Sequence, residues 1–152
     1  MWDALQARLQ LSEAQLQKLV VARPSVLSLS FEGNVEPSLA KLQQRLQLSE
    51  AQLQKVVVAS PPVLSLSYES NLQPKLTFLE AELSLSTDEL RDRVIAMPAV
   101  LTYSLTKRFR PRLAAIRAAG EDSFVLLTRI TYTDARFYPS IGFDEWDQFL
   151  PR

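Results

Sequence analysis

Carboxylates and basic side chains carry most of the reactive chemistry of this chain, because its 152 residues include no cysteine and no histidine. Without those residue types there is no thiolate nucleophile, no imidazole base and no zinc site of the common kinds. The glycines stand alone at Gly33, Gly120 and Gly142, so no glycine-rich phosphate-binding loop is present. The sequence predicts a protein that is not an enzyme and that uses no metal and no cofactor.

The acidic residues occur singly or at positions that recur along the chain, as with Glu13 and Glu50 or Glu32 and Glu69. A carboxylate that recurs with the architecture is more typical of a solvated helix face than of a general acid–base pair. The carboxylates therefore do not predict a catalytic site.

The basic residues are concentrated in one stretch of the chain. Overall there are 17 basic and 17 acidic residues, but residues 83–119 carry seven basic and three acidic side chains, a net charge of +4. Lysine and arginine contact nucleic-acid phosphates, so nucleic-acid binding is one interpretation of this cluster. The other interpretation, which the residues alone favour, is that these side chains cover apolar helix surface or pair with nearby carboxylates. The candidate contacts are Arg91, Arg93, Lys107, Arg108, Arg110, Arg112 and Arg117.

The elements that must position these residues repeat every 37 residues. Residues 9–45 and 46–82 are identical at 24 of 37 positions, and Leu83 opens a third, more divergent copy. A fixed period of this length is typical of a solenoid, in which each unit buries its apolar face against its neighbours. The predicted domains are a solenoid over 1–119 and a C-terminal capping segment over 120–152. The solenoid comprises a partial repeat, 1–8, and the repeats 9–45, 46–82 and 83–119.

Each repeat is predicted to contain two α-helices and a shorter 3₁₀ helix between them. The first helix starts at a capping box and stops at a proline. The five residues behind that proline alternate as a strand would, but their shortness and the helical pattern that follows favour a 3₁₀ turn. The second helix starts either at Asn34 and Asn71 or at the serines Ser30, Ser67 and Ser104. In the second case Pro37 falls deeper in the helix and should bend it.

The tail from Gly120 onward contains no fourth copy and is rich in aromatic residues. Thr133–Phe137 and Phe143–Leu150 are predicted to be two short helices that close the end of the repeats. Aromatic side chains could instead stack with nucleic-acid bases. The tail's net charge of −3 favours the structural cap.

The repeat unit Leu-x-Leu-Ser-x-x-x-Leu-x-x-x-Val-x-x-x-Pro-x-Val-Leu, with a second proline thirteen residues after the first, resembles the mTERF (mitochondrial transcription termination factor) repeat. Met97–Leu113 is similar to the last repeat of plant and algal members. The resemblance implies an all-α superhelical solenoid, right- or left-handed, that wraps double-stranded nucleic acid. It also implies a place in the mitochondrion or chloroplast. The chain departs from the family at Gln10, Gln47 and Ser84, where a glycine is frequent.

The predicted function is non-catalytic binding of double-stranded DNA or structured RNA in organellar gene expression, such as transcription termination. The alternative is a helical scaffold or assembly subunit of a larger protein complex, such as a ribosome. No transit peptide is visible, and the apolar runs are too short to cross a bilayer, so a membrane is not an expected partner.

Overall fold

A computed structural model describes residues 2–152 of the chain. Every regular element in this part of the chain is helical, so the predicted all-α fold is confirmed. The α-helices are α1 (Trp2–Leu9), α2 (Glu13–Ala22), α3 (Glu36–Leu46), α4 (Glu50–Ala59), α5 (Gln73–Leu83), α6 (Thr87–Ala96), α7 (Arg110–Ala118), α8 (Val125–Thr128) and α9 (Asp134–Ser140).

Two kinds of short helix complete each repeat. The segments that start at the helix-stopping prolines are 3₁₀ helices, as predicted, and after two further residues each is followed by a π-helical turn. The 3₁₀ helices are Pro24–Ser28, Pro61–Ser65 and Pro98–Thr102, with a further one at Asp147–Phe149. The π turns are Phe31–Val35, Tyr68–Leu72 and Leu105–Phe109.

The first helix of each repeat begins at a complete capping box. In α2 the Gln15 backbone N–H donates to Ser12 Oγ at 3.1 Å, and the Ser12 N–H donates to Gln15 Oε1 at 2.9 Å. The same reciprocal pair forms at Ser49 and at Ser86. Each box satisfies backbone donors that a helix start otherwise leaves unpaired. The predicted starts are confirmed at all three helices.

The π turns show which residues start the second helical segment of each repeat. Ser30 Oγ accepts a hydrogen bond from the Gly33 N–H, and Ser67 and Ser104 cap their turns in the same way. The Val35 N–H then donates to the Ser30 carbonyl at 3.1 Å, an i→i−5 bond. Pro37 follows at the start of α3, where it has no N–H to donate. The serines are therefore the caps. Where the deeper proline predicts a bend, the structure has a wider π turn.

The second helices α3 and α5 end in a left-handed residue, as does α1. Gln10, Gln47 and Ser84 have φ values of 52°, 54° and 52°. Behind α3, the Leu48 N–H donates to the Gln43 carbonyl at 2.9 Å, which closes a Schellman motif, and the Leu48 side chain is buried. These three positions are the ones at which glycine is frequent in the family that the sequence resembles, because glycine adopts positive φ without steric cost.

The described chain divides into two compact units, of which the first ends at Thr102 and the second spans Tyr103–Arg152. In the first unit, α1 packs against α2 and α4, and α3 packs against α6. Their shared core contains a stripe of leucines on α3: Leu39, Leu42 and Leu46 are each at most 2% exposed. The predicted division into repeats over 1–119 and a cap over 120–152 stays a prediction.

In the second unit, α7 packs against α8 and against the 3₁₀ helix Asp147–Phe149. α9 confirms the helix predicted around Thr133–Phe137. The short helix predicted over Phe143–Leu150 is wrong in extent, because only Asp147–Phe149 is helical there. The aromatic residues of that segment stack instead of lining a helix face: the Tyr138 ring lies parallel to Trp146 at 5.4 Å and to Phe149 at 6.0 Å. Stacking buries the faces of these rings against one another, and this does not require the residues to lie on one face of a helix.

Candidate nucleic-acid interface

The predicted basic residues belong to both compact units. Arg91 and Arg93 lie on α6 in the first unit, and the other five belong to the second. The Arg91 guanidinium forms an ion pair with Asp88 Oδ1 at 3.1 Å, one helical turn away, and only 21% of its side chain is exposed. Arg93 is exposed. A surface ion pair contributes little to stability, so Asp88 partly neutralises Arg91 without holding it firmly.

Arg112 is fully buried, at 0% exposure, and its guanidinium holds the tail. Nη2 donates to the Tyr132 carbonyl at 2.6 Å and to Asp134 Oδ1 at 3.0 Å. Nη1 donates to the carbonyls of Arg129 and Ile130, both at 3.3 Å. Burial lowers the pKa of Arg112, yet arginine stays ionised in proteins. These contacts identify a buried structural cation, and they leave no surface for a phosphate to reach.

Arg108 supports the same segment from a half-buried position. Its Nη1 donates to the Ile130 carbonyl at 2.7 Å, and its guanidinium lies 4.3 Å from the centroid of the Tyr103 ring. A guanidinium at this distance from an aromatic face gains cation–π attraction. Arg108 and Arg112 thus share the Ile130 carbonyl and together fix the chain between α8 and α9.

The remaining three basic residues of the second unit are exposed: Lys107 in the π turn, and Arg110 and Arg117 on α7. Arg110 and Arg117 are seven residues apart, so they lie on the same face of the helix, about 10 Å apart along its axis. The opposite face of α7 carries Arg112 and Ala115, which are buried. We call Lys107, Arg110 and Arg117 the basic stripe.

Sequence reasoning missed Lys75, a buried cation on α5 that is only 3% exposed. Its Nζ donates to the Leu101 carbonyl at 2.6 Å. The residue stands directly after the second proline of its repeat, as Arg112 does in the next repeat. That shared position could have indicated that Lys75 is buried, because each cation directly precedes a buried leucine of the second helix, Leu76 or Leu113.

Several carboxylates join successive repeats of the first unit through ion pairs. Arg45 of α3 and Glu80 of α5 form a bidentate pair, with N–O distances of 2.9 and 2.6 Å. Arg8 of α1, one period earlier, contacts Glu36 at 2.9 Å and Glu50 at 2.8 Å. Hydrogen bonding from Arg45 holds the pKa of Glu80 below its ordinary value. The first unit therefore uses its charges to connect its helices.

Two further features of residues 2–152 bear on what the chain can bind. No cluster of three or more carboxylates within this range is placed to hold a metal ion. None of its helices has the length and apolar character that a membrane span requires.

Comparison with known proteins agrees with the helical repeats. No curated protein matches the chain at a significant level. The family model named mTERF matches residues 1–138, a range that includes the three repeats, Arg108 and Arg112, and the tail carbonyls that these two arginines hold. The match spans well over half of the sequence, and the chain therefore belongs to the mTERF family.

Proposed function

We propose that this protein binds double-stranded nucleic acid, either DNA or structured RNA, and acts without catalysis in the gene expression of a mitochondrion or chloroplast, for example in transcription termination. The proposal is supported by membership of the mTERF family, whose members are generally non-enzymatic, nucleic-acid-binding and organellar.

The observation that carries the proposal is the basic stripe. Arg110 and Arg117 project from one face of α7 and are exposed, while the buried face fixes the helix in the second unit. Lys107 extends the positive surface into the π turn, whose backbone is held by Ser104. Cations on a rigid helix face suit a phosphate backbone, because each contact releases condensed counterions.

Arg108 and Arg112 have a different part in this proposal. Since both donate to tail carbonyls, they hold the segment between α8 and α9 and do not serve as primary phosphate contacts. Arg91 and Arg93 remain candidate contacts of the first unit. Substitutions in the basic stripe are therefore expected to weaken nucleic-acid binding, whereas substitutions of Arg108 and Arg112 are expected to destabilise the fold of the second unit.

Fluorescence anisotropy with a labelled 30-base-pair DNA duplex and a labelled RNA hairpin tests the proposal. We expect binding at low salt, and we expect the double variant R110A/R117A to weaken it about tenfold. K18A/K55A is the matched control, because Lys18 and Lys55 are exposed at equivalent positions of the first two repeats. Absence of binding to both probes at about 50 mM salt would overturn the proposal.

The second candidate function is that of a helical scaffold or assembly subunit within a larger complex, such as a ribosome. The observation favouring it is the equal number of basic and acidic residues, which gives no overall attraction to nucleic acid. Affinity purification before and after nuclease treatment separates the two functions. A protein partner that stays bound after nuclease treatment favours the scaffold, and loss of all partners favours nucleic-acid binding.

A further inference from the structure

One position of the repeat is occupied by three very different side chains. Directly after the second proline stand Ser38, Lys75 and Arg112, each 37 residues from the next. Lys75 is 3% exposed and Arg112 is fully buried. Both donate to backbone carbonyls. The second and third repeats thus use this position for a buried cation, whereas the first repeat has only a short hydroxyl.

In the second repeat the partner of this cation is well defined. Lys75 Nζ lies 2.6 Å from the carbonyl oxygen of Leu101, in the 3₁₀ helix Pro98–Thr102 of the following repeat. The residue equivalent to Leu101 one period earlier is Leu64, in the 3₁₀ helix Pro61–Ser65. A lysine in place of Ser38 would therefore extend toward Leu64.

The structure has a cavity at that place. It measures about 280 Å³, opens to solvent, and is lined by both Ser38 and Leu64. Leu29 and Leu66 add apolar wall. Lys41 and Glu69, which form an ion pair with each other, also line the cavity. A water molecule takes about 30 Å³ in the liquid, so the cavity has room for a short aliphatic chain.

We propose that this cavity in the first unit is a binding site for an alkylammonium group, supplied by a lysine side chain of a partner protein or by a free aliphatic amine. The leucine walls suit a methylene chain. The 3₁₀ helix of residues 61–65 occupies the place from which its counterpart accepts the Lys75 ammonium one repeat later. Glu69, whose Oε1 is paired with Lys41, has a second carboxylate oxygen that can accept a hydrogen bond. The site does not depend on nucleic-acid binding by the second unit.

An NMR titration with n-butylammonium chloride tests the site, with sodium chloride matching the ionic strength. We expect saturable shifts confined to the amides around Ser38, Leu64 and Glu69. We expect n-butanol, which has the same chain without the charge, to bind at least about fivefold more weakly, because it lacks the ammonium group's charge-assisted hydrogen bonds. Equal binding of the two ligands, or no saturable shift, would overturn the proposal.

Variants of Ser38 provide a second test of the site. S38K should fill the cavity with its own ammonium and abolish the shifts, and S38M should abolish them by filling the space without a charge. Undiminished binding to a folded S38M variant would contradict the proposed location. Blocked lysine (Nα-acetyl-lysine methylamide) and spermidine then distinguish the sources: tighter binding of the first assigns the site to a protein side chain, and tighter binding of the second to a free amine.

Discussion

Lys75 Nζ donates a 2.6 Å hydrogen bond to the carbonyl oxygen of Leu101 and thereby connects α5 of the second repeat to the 3₁₀ helix of the third. The ammonium group is almost fully withdrawn from water. Burial of a charge without a carboxylate partner is costly, and desolvation lowers the pKa of Lys75 from 10.5 to about 8. The charge of the group that connects the two repeats therefore changes near pH 8 in the folded protein.

The lowered pKa of Lys75 predicts that stability rises in mild alkali. Between pH 8 and pH 10.5 the unfolded chain holds a proton on Lys75 that the folded chain has lost. The free energy of unfolding should therefore increase with pH across that window, by up to about 3 kcal/mol, and be unaffected by Lys75 at lower pH. Urea unfolding at a series of pH values measures the change. K75M should lack this increase, and an identical pH profile in both proteins would contradict the prediction.

The left-handed residues at the helix ends predict that glycine stabilises this chain. Gln47 and Ser84 have φ near 50°, where a side chain strains the backbone. Q47G and S84G should each raise the free energy of unfolding by up to about 1 kcal/mol, equivalent to a Tm increase of about 2–4 °C. Q17G is the control, since Gln17 is exposed inside α2, where glycine should cost about 1 kcal/mol. A Tm that falls in all three variants would refute the effect of positive φ.

The ion pair between Arg45 and Glu80 predicts a loss of stability in acid. Because hydrogen bonding from Arg45 lowers the pKa of Glu80, its contribution is present above the unfolded pKa and is lost as pH falls through the folded value. The unfolding free energy should thus decrease below about pH 4.5 more steeply in the wild type than in E80Q. Thermal melts between pH 3 and pH 6 provide the comparison, and parallel curves would show that the pair makes no net contribution.

The buried guanidinium of Arg112 predicts a large effect on the second unit. R112A removes the donor to three backbone carbonyls and leaves an internal cavity, so it should cost at least about 3 kcal/mol. R112K keeps the charge but lacks the forked geometry and should restore little of the loss. Trp146 fluorescence measures the unfolding of this unit, since its ring stacks on Tyr138. R117A, which changes an exposed residue of the same helix, is the control; equal stability of R112A and R117A would contradict the role given to Arg112.

Much of this fold could be predicted from the sequence, because its strongest determinants are local. The serine caps and the prolines act on neighbouring backbone atoms, and the structure has the capping boxes and 3₁₀ helices where these residues predict them. The π turns could not be read in this way. Each π turn lies between a capping serine and a proline seven residues later, and neither residue alone indicates an i→i−5 hydrogen bond.

The charged cluster was harder to predict because arginine has the same formal charge in a core and on a surface. Composition grouped Arg112 with Arg110 and Arg117, but the fold buries the first and exposes the others. The difference depends on the tail carbonyls that reach Arg112, which are 17 to 20 residues away in sequence. In the tail, the spacing of Phe143 and Trp146 resembled a helix face, whereas tertiary ring stacking determines their positions.

The salt dependence of duplex binding tests the central claim, that the basic stripe contacts nucleic-acid phosphates. The slope of log K against log[salt] measures the number of phosphates neutralised, at about 0.9 for each contact on B-DNA. R110A/R117A should reduce the magnitude of the wild-type slope by about 2, while K18A/K55A should leave it unchanged. If all three proteins have the same slope, Arg110 and Arg117 do not contact the phosphates, and the proposed interface is wrong.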